Sequence, residues 1–220
     1  MKLEEAIRGR RSIRAFKPDP VSKETLQKIM EVAIQTGSSA NMQPWTFDIV
    51  GGQALEKLRE AMSERTRAGG EANTEVPIYT SQGVYHERRR KVLGKMYDAL
   101  GISREESEKR LFWLMKMDRF LEAPALIVLS LEKAVAPWTI MDAGMIMDAI
   151  MLLAYNHGLG TCAMGRAVQY PDILRKQLNI PDNKLIVIGI AIGHPDMDAA
   201  VNKFRSDRES LETFVTWHGM

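Results

Sequence analysis

The run KLIVIGIAIG, residues 184–193, contains only aliphatic residues and glycine after its leading lysine. A strand turns successive side chains to opposite faces, so one with a face in water alternates apolar with polar. An unbroken apolar run demands cover on both faces. Whatever this chain folds into must therefore place other elements above and below the sheet that holds residues 184–193. Candidates for that cover are plentiful. Ser22 caps a segment with Leu26, Ile29, Met30, Ala33 and Ile34 on one helical face, closed by Gly37. ALEKLREAMSERTRA, residues 54–68, repeats the helical spacing, and DILRKQL follows Pro171 as a short helix. From Trp138 to His157 the chain is apolar nearly all round and ends at Gly158, the pattern of a central buried helix.

Three further strands are expected, at TFDIV (46–50), ALIVLSL (125–131) and the short TCAMG (161–165). A helix over the first residues stops before Pro18 and Pro20. Between Gly69 and Tyr85 the pattern lapses into Gly, Asn, Pro and Thr, and two helical segments follow, the second opened by Ser103 with Glu106 in capping-box spacing. A long irregular excursion inside a compact unit suggests a lid. The reading is an α+β class with one sheet, a single domain over 1–220 and a lid insertion near 70–120. No repeat or linker divides the chain, and 220 residues suffice for one substantial core.

RGRRSIRAF, residues 8–16, concentrates Arg8, Arg10, Arg11 and Arg14 in a chain whose formal charge is only +2. So small a net charge argues against a nucleic-acid partner, which needs a broad basic face, and the arginines must act locally on one anion. Guanidinium forks match phosphate oxygens bidentately, and Ser12 adds a neutral donor. A solvated helix end is the competing account of this stretch. A second basic run, HERRRK at 86–91, is read mainly as a solvated helix face, with a substrate anion as its secondary use. GLGTCA, 158–163, satisfies a dinucleotide pattern, but here a helix precedes and a strand follows, the reverse of a nucleotide-binding turn. The four histidines show no metal spacing, no nucleophile elbow occurs, and the lone Cys162 reads as a small buried thiol. Without an apolar leader or a membrane-length apolar run, a cytoplasmic protein is the expectation.

RRSIRAF (10–16), GSSANMQPWTF (37–47), GLGTCAMG (158–165), PDILRKQLNIPDNKLIVIGIAIGHPD (171–196) and NKFRSDRESLETFV (202–215) occur in one order. Together they resemble the nitroreductase family of FMN-dependent oxidoreductases, within it the nitrobenzoate-reductase-like branch, over nearly the whole chain except 70–120. The resemblance implies a nitroreductase-like fold, a central mixed sheet flanked by helices, in an intertwined homodimer with FMN at the subunit interface.

By the same resemblance Arg10, Lys203 and Arg205 would hold the FMN phosphate, and Arg11 and Ser12 would line the phosphate and ribityl chain. Arg14 would approach flavin N1 and O2. Ser38, Ser39, Asn41 and Gln43 would reach the cofactor from the partner subunit, and the backbone at Met164 and Gly165 would face N5. Some relatives carry an acidic residue where Met164 stands. The implied activity is ping-pong reduction of small planar electrophiles, nitroaromatics or quinones, with NADH or NADPH as transient donor; no side chain is needed as acid or base. Reductive dehalogenation of an aromatic, and FMN binding without turnover, stay open as alternatives.

Overall fold

The computed structural model describes residues 1–77 and 80–220; Ile78 and Tyr79, inside the expected insertion, lie outside the described residues. At its centre are four strands, β1 (Trp45–Gly51), β2 (Ala125–Glu132), β3 (Gly160–Met164) and β4 (Lys184–Gly193), arranged β1-β2-β4-β3. The doubly covered strand expected from KLIVIGIAIG lies inside the sheet, between β2 and β3. Every ladder between these strands is antiparallel. The mixed sheet expected from the resemblance thus reduces to one parallel bridge, Ser12 with Thr161. That bridge is the point where the arginine-rich segment joins the sheet.

Helices α1 (Leu3–Gly9), α2 (Lys23–Ala33), α3 (Gly52–Arg67), α4 (Gly83–Ala99), α5 (Ser107–Asp118), α6 (Ile140–Asn156), α7 (Pro171–Leu178) and α8 (Ala200–Lys203) surround the sheet. On one face Leu26 and Ile29 of α2 and Ile146 and Ile150 of α6 pack on Ile127, Leu129, Ile190 and Ile192. On the other, Leu55, Leu58 and Met62 of α3, Trp113 of α5 and Leu174 of α7 pack on Leu126, Val128 and Ala191. Fully burying such a side chain contributes about 1.5–3 kcal/mol. The continuous apolar run of β4 is therefore matched by apolar helices on each side. Between Leu129 and Ser130 the β2–β4 register skips Val187, so Ile186 packs with the second layer while Ile188 and Ile190 pack with the first.

Local signals decide most boundaries. Ser22 Oγ accepts the Thr25 amide at 3.1 Å and caps α2, which ends at Ala33, before Gly37. Gly158, at φ +75°, turns α6 into β3, a conformation glycine adopts without the Cβ penalty. Ser103 does not open α5: the helix begins at Ser107, although Glu106 does accept the Ser103 amide at 2.8 Å. Beyond α5 the chain leaves through Phe120, Leu121 and Glu122, all with φ between +53° and +58°. Three successive left-handed residues cost about 1–2 kcal/mol each. Burial of Phe120 and Leu121 and the hold of Arg59 on the Arg119 and Ala123 carbonyls keep them there.

Candidate functional site

The segment carrying Arg10 to Phe16 is extended and fastened along its length. Ile13 N donates to Thr161 O at 2.9 Å, Lys17 N donates to His194 O at 2.9 Å, and Phe16 bridges Pro195. Its main anchor is Asn202, fully buried in α8. The Asn202 side-chain oxygen accepts the Arg14 amide at 2.7 Å, and its nitrogen donates to the Ala15 and Asp196 carbonyls, each at 2.7 Å. One amide side chain thereby joins the N-terminal and C-terminal segments. Three residues on, Arg205 donates to the Arg8 carbonyl and, at 3.5 Å, to that of Gly9. These carbonyls end α1, where the helix dipole favours a cation.

Arg10, Arg14 and Arg205 thus collect around one corner of the sheet. Arg10 Nε lies 3.9 Å from Asp148, an exposed carboxylate on α6, and Arg14 stands 6.0 Å over the Phe204 ring with Nη1 on the Ser12 carbonyl at 3.3 Å. A single ion-pair distance as long as 3.9 Å leaves this corner with excess positive charge, the condition for binding an anion. Arg11, half buried beside them, lines with Arg10 a cavity of about 270 Å³ against Tyr155 and Gly158–Thr161. Lys203 closes α8 and is exposed at the same junction. Cys162 lies under the cluster: burial pushes its thiol pKa up, partly offset by Arg14, Ser12 and Arg10. A buried thiol with a raised pKa is a poor nucleophile, in keeping with its reading as core.

Met164 is buried at the end of β3, and Gly165 follows on the surface as the chain turns. This turn sits on the same short strand that carries Thr161 and so lies within one sheet edge of the arginines. Ser38, Ser39, Asn41 and Gln43 are placed elsewhere. Their loop rests on the start of α6: Asp142 Oδ1 accepts the Ser39 amide at 3.2 Å, and Trp138 Nε1 donates to Ser39 Oγ at 3.3 Å. Gln43 N donates to Ser38 Oγ at 2.9 Å, and Ala40, Asn41 and Gln43 are held at φ +48° to +55°. Arg10 touches α6 at Asp148 and Met151, six and nine residues further along. At 1.5 Å per residue the two groups grip α6 about 9–13 Å apart. Within one chain the loop and the arginines are separate groups.

The basic run at 86–91 is only partly free. Arg88 pairs with Glu209 at 3.3 Å and stacks on Phe214 at 5.5 Å; Lys91 and Lys95 hold Asp207 at 3.1 and 2.6 Å. These contacts clasp α4 to the C-terminal segment. Arg89, with Tyr85, faces an open cavity of about 1190 Å³ that also reaches Ser206 and Asp207, directly after Arg205. Sequence reasoning missed Asn202, whose only signal was its place inside NKFRSDRESLETFV, and Asp142, which carried no signal of its own.

Comparison with known proteins identifies the family and the fold. A nitroreductase family profile matches residues 7–194. Nitroreductase NfnB of Mycolicibacterium smegmatis is 33% identical over 210 residues, covering 94% of this chain and 89% of the relative. The chloronitrobenzene nitroreductase of Comamonas testosteroni is 32% identical over 98% of this chain and 96% of its own length. The crystal structure of the FMN and NADPH-dependent nitroreductase NfnB from Sphigopyxis sp. strain HMH superposes with a TM-score of 0.96, at 31% identity and full coverage of both chains. The fold and these similarities define the class as oxidoreductases, and the chain belongs to the nitroreductase family.

Proposed function

We propose that this chain is an FMN-dependent NAD(P)H oxidoreductase that reduces nitroaromatics, and more broadly small planar electrophiles including quinones, by a ping-pong sequence. The observation that carries the reading is the Asn202 junction, which brings the segment of Lys203 and Arg205 to that of Arg10–Arg14 and forms a cationic corner whose acidic partner among the described residues is Asp148, 3.9 Å from Arg10. That donor set fits a phosphate monoester. Arg10, Lys203 and Arg205 would hold the FMN phosphate, Arg11 and Ser12 the adjoining chain, and Arg14 the negative charge that grows on the ring. Bound FMN supplies a two-electron carrier that accepts from NADH or NADPH and delivers to the second substrate at the same face. The protein's part is to position and to shield; the backbone at Met164 and Gly165 would present its N–H to the ring.

The separation of Ser38, Ser39, Asn41 and Gln43 from the arginines supports a homodimer in which one subunit's loop completes the other's site. Exposed Leu3 and Ile7 on α1 and Met141 and Met145 on α6 supply apolar surface for that contact. In this reading α4 and α5 would act as the lid proposed near 70–120, with Tyr85 and Arg89 on the acceptor side and a carboxylated nitroaromatic as the acceptor that suits them. The test is spectroscopic. Purified protein with FMN should bleach on anaerobic addition of NADPH or NADH and recover its absorbance with nitrobenzoate. Bound FMN that no nicotinamide bleaches would leave a flavin-holding protein, recovery with halotyrosines alone a dehalogenase, and a flavin-loaded monomer would overturn the shared site.

A further inference from the structure

Directly after the Met164–Gly165 turn stands Arg166, and its guanidinium enters a buried polar net that the redox reading does not use. Arg166 Nε lies 2.5 Å from Asp118 Oδ1 and Nη2 donates to Oδ2 at 3.0 Å. Asp118, the last residue of α5, is completely buried, and Gln169 Nε2 donates to its Oδ1 at 2.8 Å. The net continues outward. Gln169 donates to Thr66 Oγ1 at 3.4 Å, that hydroxyl meets Tyr170 Oη at 3.1 Å, Tyr170 donates to the Gly70 carbonyl at 2.9 Å, and Asn73 N donates to Gln169 O at 2.9 Å. Both roots of the insertion, Thr66–Asn73 where it leaves and Asp118 where it returns, are thus tied to residues 166–170.

From this geometry we infer that Asp118 and Arg166 are positioning residues: the pair clamps the Gly165 turn to the lid, so that the N–H offered to the flavin ring is aimed by the insertion. The inference rests on the flavin reading of Gly165. The opposite side of the turn is already fixed, since a Cβ on Gly189 of β4 would stand 2.5 Å from Ala167 Cβ, which leaves no slack there. The side facing α5 is held by the Arg166–Asp118 pair. A buried carboxylate is stable there because it is paired and hydrogen-bonded, and neither residue contacts the arginine corner. A misplacement of about 1 Å at a reacting centre can slow chemistry by roughly a hundredfold, which makes such a clamp worth its place.

Two variants of the whole chain, prepared with excess FMN, test the clamp. Asp118→Asn keeps the shape and removes the charge that answers Arg166. The paired replacement D118L/R166M removes both charges, an exchange that commonly leaves a buried site as stable as before. In both, amide exchange over residues 164–170 of the FMN-free protein should quicken by roughly tenfold or more while β2 and β4 keep the parent's rates. Anaerobic reduction of bound FMN by NADPH should slow by roughly tenfold or more without weaker FMN retention. If Asp118→Asn unfolds, the paired variant decides alone. Parent-like exchange at 164–170 together with parent-like reduction in the paired variant would overturn the clamp. A parent protein that takes up no FMN, with variant exchange still quickened, upholds the clamp and sinks the flavin reading instead.

Discussion

Helices α4 and α6 are each seventeen residues long, yet α6 buries Asp142, Ala143, Ile146, Ile150, Met151 and Ala154, whereas α4 buries only Met96. The first lies against the sheet and carries both groups of polar contacts, the loop at Asp142 and the arginine at Asp148. The second is held by charged clasps to the C-terminal segment and borders an open cavity. The difference assigns tasks. On the proposed reading, the groups assigned to the fixed cofactor hang on the packed helix and those assigned to a variable acceptor on the loosely held one, because local stability follows buried apolar contact.

The sharpest way to break this comparison is at Asn202. Asn202→Ala leaves the Arg14 amide and the Asp196 carbonyl without their side-chain partner, while the Ala15 carbonyl keeps the Asp196 amide at 3.1 Å, and should cost about 3 kcal/mol in urea unfolding, since each buried polar group left unpaired costs about 1–3 kcal/mol. A loss under about 1 kcal/mol would mean that the terminal segments meet for another reason. Next in size, Arg10→Ala or Arg205→Ala should weaken FMN binding by about 1.5–3 kcal/mol in titrations of the FMN-free protein, the worth of one hydrogen bond to a charged group. Unchanged affinity in both would remove the phosphate assignment.

Changes on α4 should instead spare the fold. Arg89→Ala is expected to shift unfolding by no more than about 0.5 kcal/mol, as for an exposed residue, while raising KM for a nitrobenzoate several times more than for nitrobenzene. Equal effects on both acceptors would take Arg89 out of substrate recognition. The smallest effect concerns pH. Lys95 and Lys91 hold the Asp207 carboxyl below the usual aspartate range. A depressed folded pKa contributes stability above the ordinary aspartate pKa and loses it as pH falls through the lowered value. Limited proteolysis within 83–99 should therefore speed up on acidification through that range, and Asp207→Asn should abolish the pH response.

Much of the fold was legible because its signals are local. β4 could be read from side chains alone, and Ser22 and Gly158 announced their turns through one hydroxyl and one missing Cβ. The α5 start was misread because Glu106 does serve Ser103, but from outside the helix. The sheet's direction and order and the skipped Val187 were not legible, since each depends on which strand becomes a neighbour, and a separate placement for Ser38–Gln43 came only with the resemblance. The arginines were visible as a cluster; that Arg205 arrives beside them was suggested only by resemblance, and the role of Asn202 was not suggested at all.

Side-chain chemistry and spacing along the chain determined that there would be a doubly covered strand, helices to cover it, and a local excess of guanidinium near the N-terminus. Tertiary structure alone decided that residues 202–205 close on residues 8–15, that the Ser38–Gln43 loop stays about 9–13 Å away along α6, and that Asp118 meets Arg166 across 48 positions. The physical reason is range. Periodicity and capping act within a turn or two of the chain, whereas hydrogen bonds and ion pairs between distant segments exist only after packing has brought them within about 3 Å and excluded water.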